Sequence, residues 1–520
     1  MLQFLLAAVA ALMLAPSPVD ARAIDGVAIT VRAPAGALQG RARDGIHAFV
    51  GIPYATPPVG PRRWRAPAPA ARWGGVRPAV QFGNDCPQQR LPADATPSAQ
   101  PMSEDCLVLN LWRPAAAGSP AGNGAPRHLL PVMVWIHGGG FVMGSSASPV
   151  LDGAALARRG VVLVSFNYRL GRFGFFAHPA LSAEAGGRPA VNFAFLDMIA
   201  ALRWVRDNAA SFGGDPGNVT IFGESSGGAA VNFLMAAPGA RGLFHKAIVQ
   251  SGANREPYAR LATDRPGRIS AERAGTAFAV AAGLADARAD QLRALPADAV
   301  QGSLSLWDMQ ADRFTGPVID GDTVLADPID RFAAGATPAI PYMIGSNGAE
   351  LSEESFAPIM MNLIRSQVTA ESLADLKRAY GDPPGPALID DYFFAEAARG
   401  YARIMAARGV SAWHYLFDHV AESERASRHG ANHASEIAFL FGNLPVSAGT
   451  SDRETARMMG DYWSNFARSG DPNGPGLPSW PRQAAGDPLL LFGASGVSVV
   501  AGRDSGRLDA VERAMAARAR

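Results

Sequence analysis

Residues 219–235 constrain this chain more than any other stretch. Val219-Thr220-Ile221-Phe222 is a β-branched and aromatic run that reads as a buried strand, GESSGG follows at 223–228, and Ala229 to Met235 continues in small and apolar residues. Strand, sharp turn, helix is the setting of a nucleophile elbow, in which a serine is held up at the carboxyl edge of a sheet with glycines making room for the turn. Ser225 occupies the centre of that Gly-x-Ser-x-Gly frame. The frame by itself is weak evidence, because 56 of the 520 residues are glycine. Its weight depends on the rest of the chain.

The surroundings alternate strand and helix signals. Pro131 to Ile136, Val161 to Asn167, Val219 to Phe222 and Ala247 to Gln250 read as buried strands. Phe195 to Ser211 reads as a helix, with Leu196, Ile199, Leu202 and Val205 at helical spacing and Gly213-Gly214-Asp215-Pro216 ending it. Strands separated by helices predict an α/β fold with a large, mostly parallel twisted sheet covered on both faces. Pro341 to Ser346 and Trp413 to His419 are expected as later strands, and Leu508 to Arg520 as a terminal helix. Residues 254–312 and 353–408 are expected as helical insertions capping the site, and 92–101 and 115–126 as surface loops. No linker divides residues 24–520, which are expected to form a single domain.

Phe4 to Leu14 is an apolar run too short to span a bilayer, and Ala21-Arg22-Ala23 offers a small-x-small cleavage site. Residues 1–23 are therefore expected to be a signal peptide, leaving a secreted or periplasmic chain with no membrane span. The only cysteines, Cys86 and Cys106, then point to one disulfide. Closing that loop contributes about 3 kcal/mol in the chain-entropy description. A net charge of +1 gives no electrostatic case for a nucleic-acid partner.

An activated serine needs a base, a carboxylate to orient the base, and backbone N–H groups aimed at the developing oxyanion. His137-Gly138-Gly139-Gly140-Phe141 follows a strand and can turn its amides inward. A phosphate loop is excluded there, because no Gly-Lys-Ser/Thr follows. Two carboxylates compete for the acid, Glu350 and Asp320, and two histidines for the base, His433 and His429. The order Ser225, Glu350, His433 is the order that α/β-hydrolases use. A metal site at His429/His433 is disfavoured by Gly430 and Asn432 between them.

The chain resembles the type-B carboxylesterases, the α/β-hydrolase family that includes cholinesterases and bile-salt-activated lipase. The likeness is carried by Gly51-Ile52-Pro53-Tyr54-Ala55-x-Pro57-Pro58 and by Ser103-Glu104-Asp105-Cys106-Leu107-x-Leu109-Asn110. It continues through VWIHGGGF at 134–141, FNYRLGRFGF at 166–175, FGGDPGNVTIFGESSGG at 212–228 and QSG at 250–252. The signatures are dense from about residue 45 to 255 and thin out beyond. The resemblance implies Ser225 as nucleophile, and Gly139, Gly140 and the Ser226 N–H as oxyanion hole. It also implies Cys86–Cys106 as a disulfide. Gly345-Ser346-Asn347-Gly348-Ala349-Glu350 resembles the acid segment and favours Glu350, and the segment from His433 to Gly442 resembles that of the catalytic histidine. Asp320 falls in a segment that is structural in the family. Ser226 stands where the family usually carries Ala.

What the resemblance implies is a cofactor-free serine esterase acting on small-molecule esters through an acyl-enzyme. Its activity is expected to fall near pH 6–7 as His433 protonates, by the reference value. Lipid, aromatic and polyester substrates of the mycotoxin type stay open, as does oligomeric state. Choline esters are disfavoured, since residues 87–105 contain no aromatic platform for a cation. Trp307, Met309, Phe356, Met360 and Met361 could line a gorge or be core of the insertions. A non-catalytic binding member of the family is the reading from another class, and it predicts a missing serine or histidine; both are present.

Overall fold

Alternation of side chains across buried strands organises the molecule. A computed structural model describes residues 23–91, 94–117, 129–352 and 357–518. The strands are β1 (Val27–Ala33), β2 (Gly36–Arg43), β3 (Ile46–Pro53), β4 (Val76–Pro78), β5 (Val108–Pro114), β6 (Leu130–Ile136), β7 (Val162–Phe166), β8 (Gly214–Glu224), β9 (Lys246–Gln250), β10 (Ala259–Arg260), β11 (Val318–Ile319), β12 (Tyr342–Asn347), β13 (Ala412–Phe417), β14 (Pro488–Gly493) and β15 (Gly496–Ala501). Among the described residues, thirteen of them form one sheet in the order β1-β2-β3-β5-β7-β6-β8-β9-β12-β13-β14-β15, with β4 beside β2.

The seven strands from β7 to β14 are all parallel. The ends are not: β1, β2, β3, β5 and β7 pair antiparallel in succession, and β15 pairs antiparallel with β14. The sheet is thus mixed, with a parallel centre and antiparallel flanks. In the centre both faces are buried, as parallel sheets require. Val132, Val134, Ile221 and Ile344 point into one apolar cluster, while their neighbours Met133, Trp135, Phe222 and Met343 point into another. The helices Phe193–Asn208 and Ser226–Ala236 contribute Met198, Leu202, Val231 and Leu234 to the first cluster. The helix Thr450–Ser469 contributes Met459, Trp463 and Phe466 to the second.

Residues 254–312 carry the helices Ala271–Ala281, Ala289–Arg293 and Ala297–Gln301. They also carry one strand segment that composition did not signal: β10 pairs with β11 over two residues each. Within 353–408, the helix Glu396–Ala407 lies on the sheet and adds Tyr401 and Met405 to its core. Met361 and Ile364 instead pack with Ala510 and Val511 of the terminal helix Ser505–Ala516. Met360 packs against the same cluster. The two methionines therefore belong to the insertion's own core. Trp307 and Met309 are exposed, and Phe356 lies outside the described residues. So do the expected leader, apart from Ala23, and much of the expected loop 115–126.

No described helix is long and apolar enough to cross a membrane. Cys86 and Cys106 form a disulfide.

Candidate active site

The parallel strands deliver their carboxyl ends to one edge, and there the expected residues gather. β8 runs into Ser225, which adopts φ 55° and ψ −126°, and the helix Ser226–Ala236 starts at once. The turn is feasible only because Gly223 and Gly227, two positions to either side, lack side chains. A Cβ on Gly227 would lie 2.1 Å from the carbonyl oxygen of Ile136, at the end of β6. The Ser225 N–H donates to the carbonyl of Gln250 at the end of β9 (2.9 Å), which fixes the turn to the neighbouring strand.

The loop after β6 lies against this turn: a Cβ on Gly138 would be 3.1 Å from Ser225 Cβ. Gly139, Gly140 and Phe141 all have positive φ, at 101°, 62° and 62°. The carbonyl of Gly139 accepts from Val142 N and Met143 N, both at 3.0 Å. The N–H groups of Gly139, Gly140 and Ser226 donate to no protein acceptor among the described residues. His137 is not a rival base. It stacks on Tyr168 at 4.3 Å, and burial pushes its pKa down to about 4. Tyr168 Oη donates to the His137 carbonyl (2.7 Å).

The Ser226 hydroxyl, unexplained from sequence, has partners. It accepts from Phe141 N at 3.1 Å, and it also acts on the Tyr168 phenol.

Beyond β12, Glu350 is 2 % exposed, and its Oε2 lies 2.6 Å from His433 Nδ1. Its Oε1 accepts from Asn347 N (2.8 Å), and its carbonyl accepts from His433 N (3.2 Å). His433 and Glu350 are therefore joined both by side chain and by backbone. The rivals fall away. Asp320 accepts from Asp322 N, Val324 N and Asn192 Nδ2, so its carboxylate organises a turn. His429 is exposed. No cluster that could hold a metal occurs among the described residues.

Glu224, the residue before the serine, was given no role from sequence. It is buried, and its Oε1 sits 3.2 Å from His433 Nε2. The signal available was an acidic residue inside the glycine-serine frame at the end of a strand that is buried from Val219 onward. Glu436 is a second addition: it accepts from Asn347 Nδ2 (2.8 Å) and Gln250 Nε2 (3.0 Å). Gln250 in turn accepts from Trp463 Nε1 (3.1 Å). The Phe394 ring covers His433 with centroids 5.2 Å apart.

Electrostatics follow from this crowding of acids. Burial pushes Glu224 up to about 8, opposed by His433 and reinforced by Glu436 and Glu350. Burial alone would lower His433, but Glu224 and then Glu350 outweigh it and push the imidazole up to about 10. The direction corrects the expectation of an ordinary histidine titrating near pH 6–7. Ser225 and His433 are not in hydrogen contact among the described residues; Nε2 faces Glu224 instead. Such a gap is compatible with a serine–histidine pair, since catalytic hydrogen bonds often tighten only once substrate is bound.

The carboxylesterase family model matches residues 27–381 and 383–496. This chain belongs to the carboxylesterase family. This carboxylesterase is 34% identical over 482 residues to the fumonisin B1 esterase of Sphingopyxis macrogoltabida, covering 88% of this chain and 85% of that one. It is 33% identical over 465 residues to the para-nitrobenzyl esterase of Bacillus subtilis (strain 168), covering 86% and 91%. A solved structure of a PNB esterase superposes with a TM-score of 0.75 at 31% identity, over 93% of this chain and 99% of that chain. The fold is that of the α/β-hydrolases, and the carboxylesterase is a carboxylic ester hydrolase.

Proposed function

We propose that this carboxylesterase cleaves its ester with Ser225 as nucleophile, His433 as general base and acid, and Glu350 as the group that orients His433. Ser225 Oγ attacks the ester carbonyl while His433 Nε2 takes the proton. The N–H groups of Gly139, Gly140 and Ser226 receive the oxyanion, where preorganised donors act most strongly. His433 then gives the proton to the departing alcohol. Water, activated by the same imidazole, releases the acid from Ser225. The observation that carries this reading is the 2.6 Å contact between His433 Nδ1 and Glu350 Oε2 beside a serine held at φ 55°. The three unpaired backbone donors beside that serine add to it.

The substrate is a small-molecule ester with an apolar group beside the carbonyl. Support comes from the apolar surroundings: Phe394 covers His433, and a Cβ on Gly140 would lie 2.4 Å from Leu306 Cδ2. The absence of aromatic residues from 87–105 argues against a choline ester. Relatives named for a fumonisin and for a nitrobenzyl ester make polyesters and aromatic esters the first compounds to assay. Cleavage after Ala23 and export to an oxidising compartment fit the apolar leader and the Cys86–Cys106 disulfide.

Replacing Ser225 by alanine tests the mechanism. Hydrolysis of p-nitrophenyl butyrate is expected to fall at least about a thousandfold, as serine-hydrolase nucleophile deletions do. Near-native turnover in Ser225→Ala would end the reading.

A further inference from the structure

Ser226 follows Ser225 at the start of the helix Ser226–Ala236, and its hydroxyl accepts from Phe141 N at the end of the loop after β6. We propose that the Ser226 side chain is a positioning group that locks the oxyanion loop to the helix bearing Ser225. The inference rests on the assignment of Gly139, Gly140 and the Ser226 N–H as oxyanion donors and adds a second, separate job for Ser226.

The loop His137–Phe141 is pinned at both ends by one pair of hydroxyls. At its start, the His137 carbonyl accepts from Tyr168 Oη at 2.7 Å. At its end, Phe141 N donates to Ser226 Oγ at 3.1 Å. Burial raises the Tyr168 phenol, and the Ser226 hydroxyl opposes that rise. Geometry fixes two donations at the ends of the loop: Phe141 N–H to Ser226 Oγ, and Tyr168 O–H to the His137 carbonyl. Ser226 is 8 % exposed and Tyr168 fully buried, so water does not compete freely for these groups.

Phe141 needs such a restraint. It is a bulky residue at φ 62°, a conformation that persists only where the surroundings over-determine it. Three further contacts hold it. Its carbonyl accepts from Gly171 N (2.7 Å), and its ring packs edge-on against Phe175 (5.2 Å) and Phe195 (5.9 Å). With Phe141 N bound to Ser226 Oγ, the peptide plane between Gly140 and Phe141 cannot swing. Gly140 would otherwise be free to turn, since glycine carries no side chain to resist it.

The same residue supplies the third oxyanion donor from its backbone. The latch thus joins donors on two different elements, the loop after β6 and the start of the helix Ser226–Ala236, into one rigid set. Preorganisation of this kind acts on the oxyanion, which exists only in the transition state and the tetrahedral intermediate. Its loss is expected in kcat and in the affinity for oxyanion mimics, and not in KM.

The test compares the full chain with Ser226→Ala and Ser226→Thr, using p-nitrophenyl butyrate, a trifluoromethyl ketone and thermal unfolding. In Ser226→Ala we expect kcat about tenfold lower and ketone binding about tenfold weaker, with KM within about twofold and Tm within about 3 °C. Ser226→Thr, which keeps the hydroxyl, should recover most of both losses. Unchanged kcat and ketone affinity in Ser226→Ala would overturn the proposal. So would a fall in Tm with KM rising as much as kcat falls, which marks a merely structural group. A threonine variant as impaired as alanine at native Tm would overturn it too. Ser225→Ala serves as the separate control: turnover that survives it removes the serine mechanism itself. An inactive Ser225→Ala beside a fully active Ser226→Ala removes only the latch.

Discussion

Two buried glutamates approach the same imidazole from opposite sides and come from opposite kinds of backbone. Glu350 follows the end of β12 in a turn, reaches Nδ1 at 2.6 Å, and has its other oxygen bound by Asn347 N. Glu224 is the last residue of β8, lies 3.2 Å from Nε2, and its Oε1 has no hydrogen-bond partner. Both are almost fully buried, so burial does not distinguish them. Donors do. Glu350 Oε1 is bound by a backbone N–H, whereas Glu224 Oε1 lacks such a donor and burial drives that carboxyl toward its protonated form. Burial pushes Glu224 up to about 8 and the charge of His433 opposes that rise, while Glu350 keeps the shorter contact to the imidazole.

The sharpest way to break this comparison is to neutralise Glu350. In Glu350→Gln the amide no longer supports an imidazolium and can hold His433 in the wrong tautomer, so kcat should fall about 10³–10⁴-fold, as for the amide replacement in other serine triads. A drop smaller than tenfold, measured with p-nitrophenyl butyrate, would mean that Glu224 can serve as the orienting acid and that the two glutamates are interchangeable.

Neutralising Glu224 should act on pH dependence rather than on the ceiling of the rate. In the proposed mechanism His433 works as a base only when neutral. Its pKa is raised above 6.5, so the acid limb of kcat/KM for the unaltered protein lies above pH 6.5, and activity is lost as pH falls through that limb. Glu224 is the largest of the charges raising His433. Glu224→Gln removes it, so the limb should move down, toward 6.5, with a shift on the order of one pH unit. A limb that stays put, or moves up, contradicts the assignment of Glu224 as the group acting on Nε2.

The contrast between these residues also measures what could be read from sequence. Six of the seven parallel strands were legible because burial on both faces makes most of them largely apolar, as in Val132 to Ile136. The flanking antiparallel strands were not. β2, with its GALQGRAR, has low strand propensity and is held by pairing to β1 and β3. Ser225, Glu350 and His433, the proposed triad, each sit in a long ordered signature. That Glu350 and not Asp320 meets His433 is settled by spatial proximity, which spacing along the chain does not encode. Glu224 and Glu436 were invisible for a related reason. Their importance lies in having an imidazole or an amide within about 3 Å in space, from β9 or from the His433 segment, and no local pattern announces it.

Glu436 supplies the smallest effect and the finest discrimination. It bridges the two regions, accepting from Asn347 Nδ2 on the acid turn and from Gln250 Nε2, while the Gln250 carbonyl accepts from Ser225 N. Its oxygens therefore hold the acid turn and the nucleophile turn at a fixed separation without touching the reacting atoms. A carboxylate can accept on both oxygens, but a glutamine amide turns one of them into a donor. In Glu436→Gln one of the two donors, Asn347 Nδ2 or Gln250 Nε2, must face the new NH₂ group. The loss of that bond should cost about 1–3 kcal/mol of stability, read by denaturant unfolding. Activity per folded molecule should drop only a few-fold, because Glu350 and Ser225 keep their own backbone anchors at Asn347 N and the Gln250 carbonyl. If the protein loses activity as severely as Glu350→Gln while staying as stable as the unaltered chain, then Glu436 belongs to the chemistry and not to the frame.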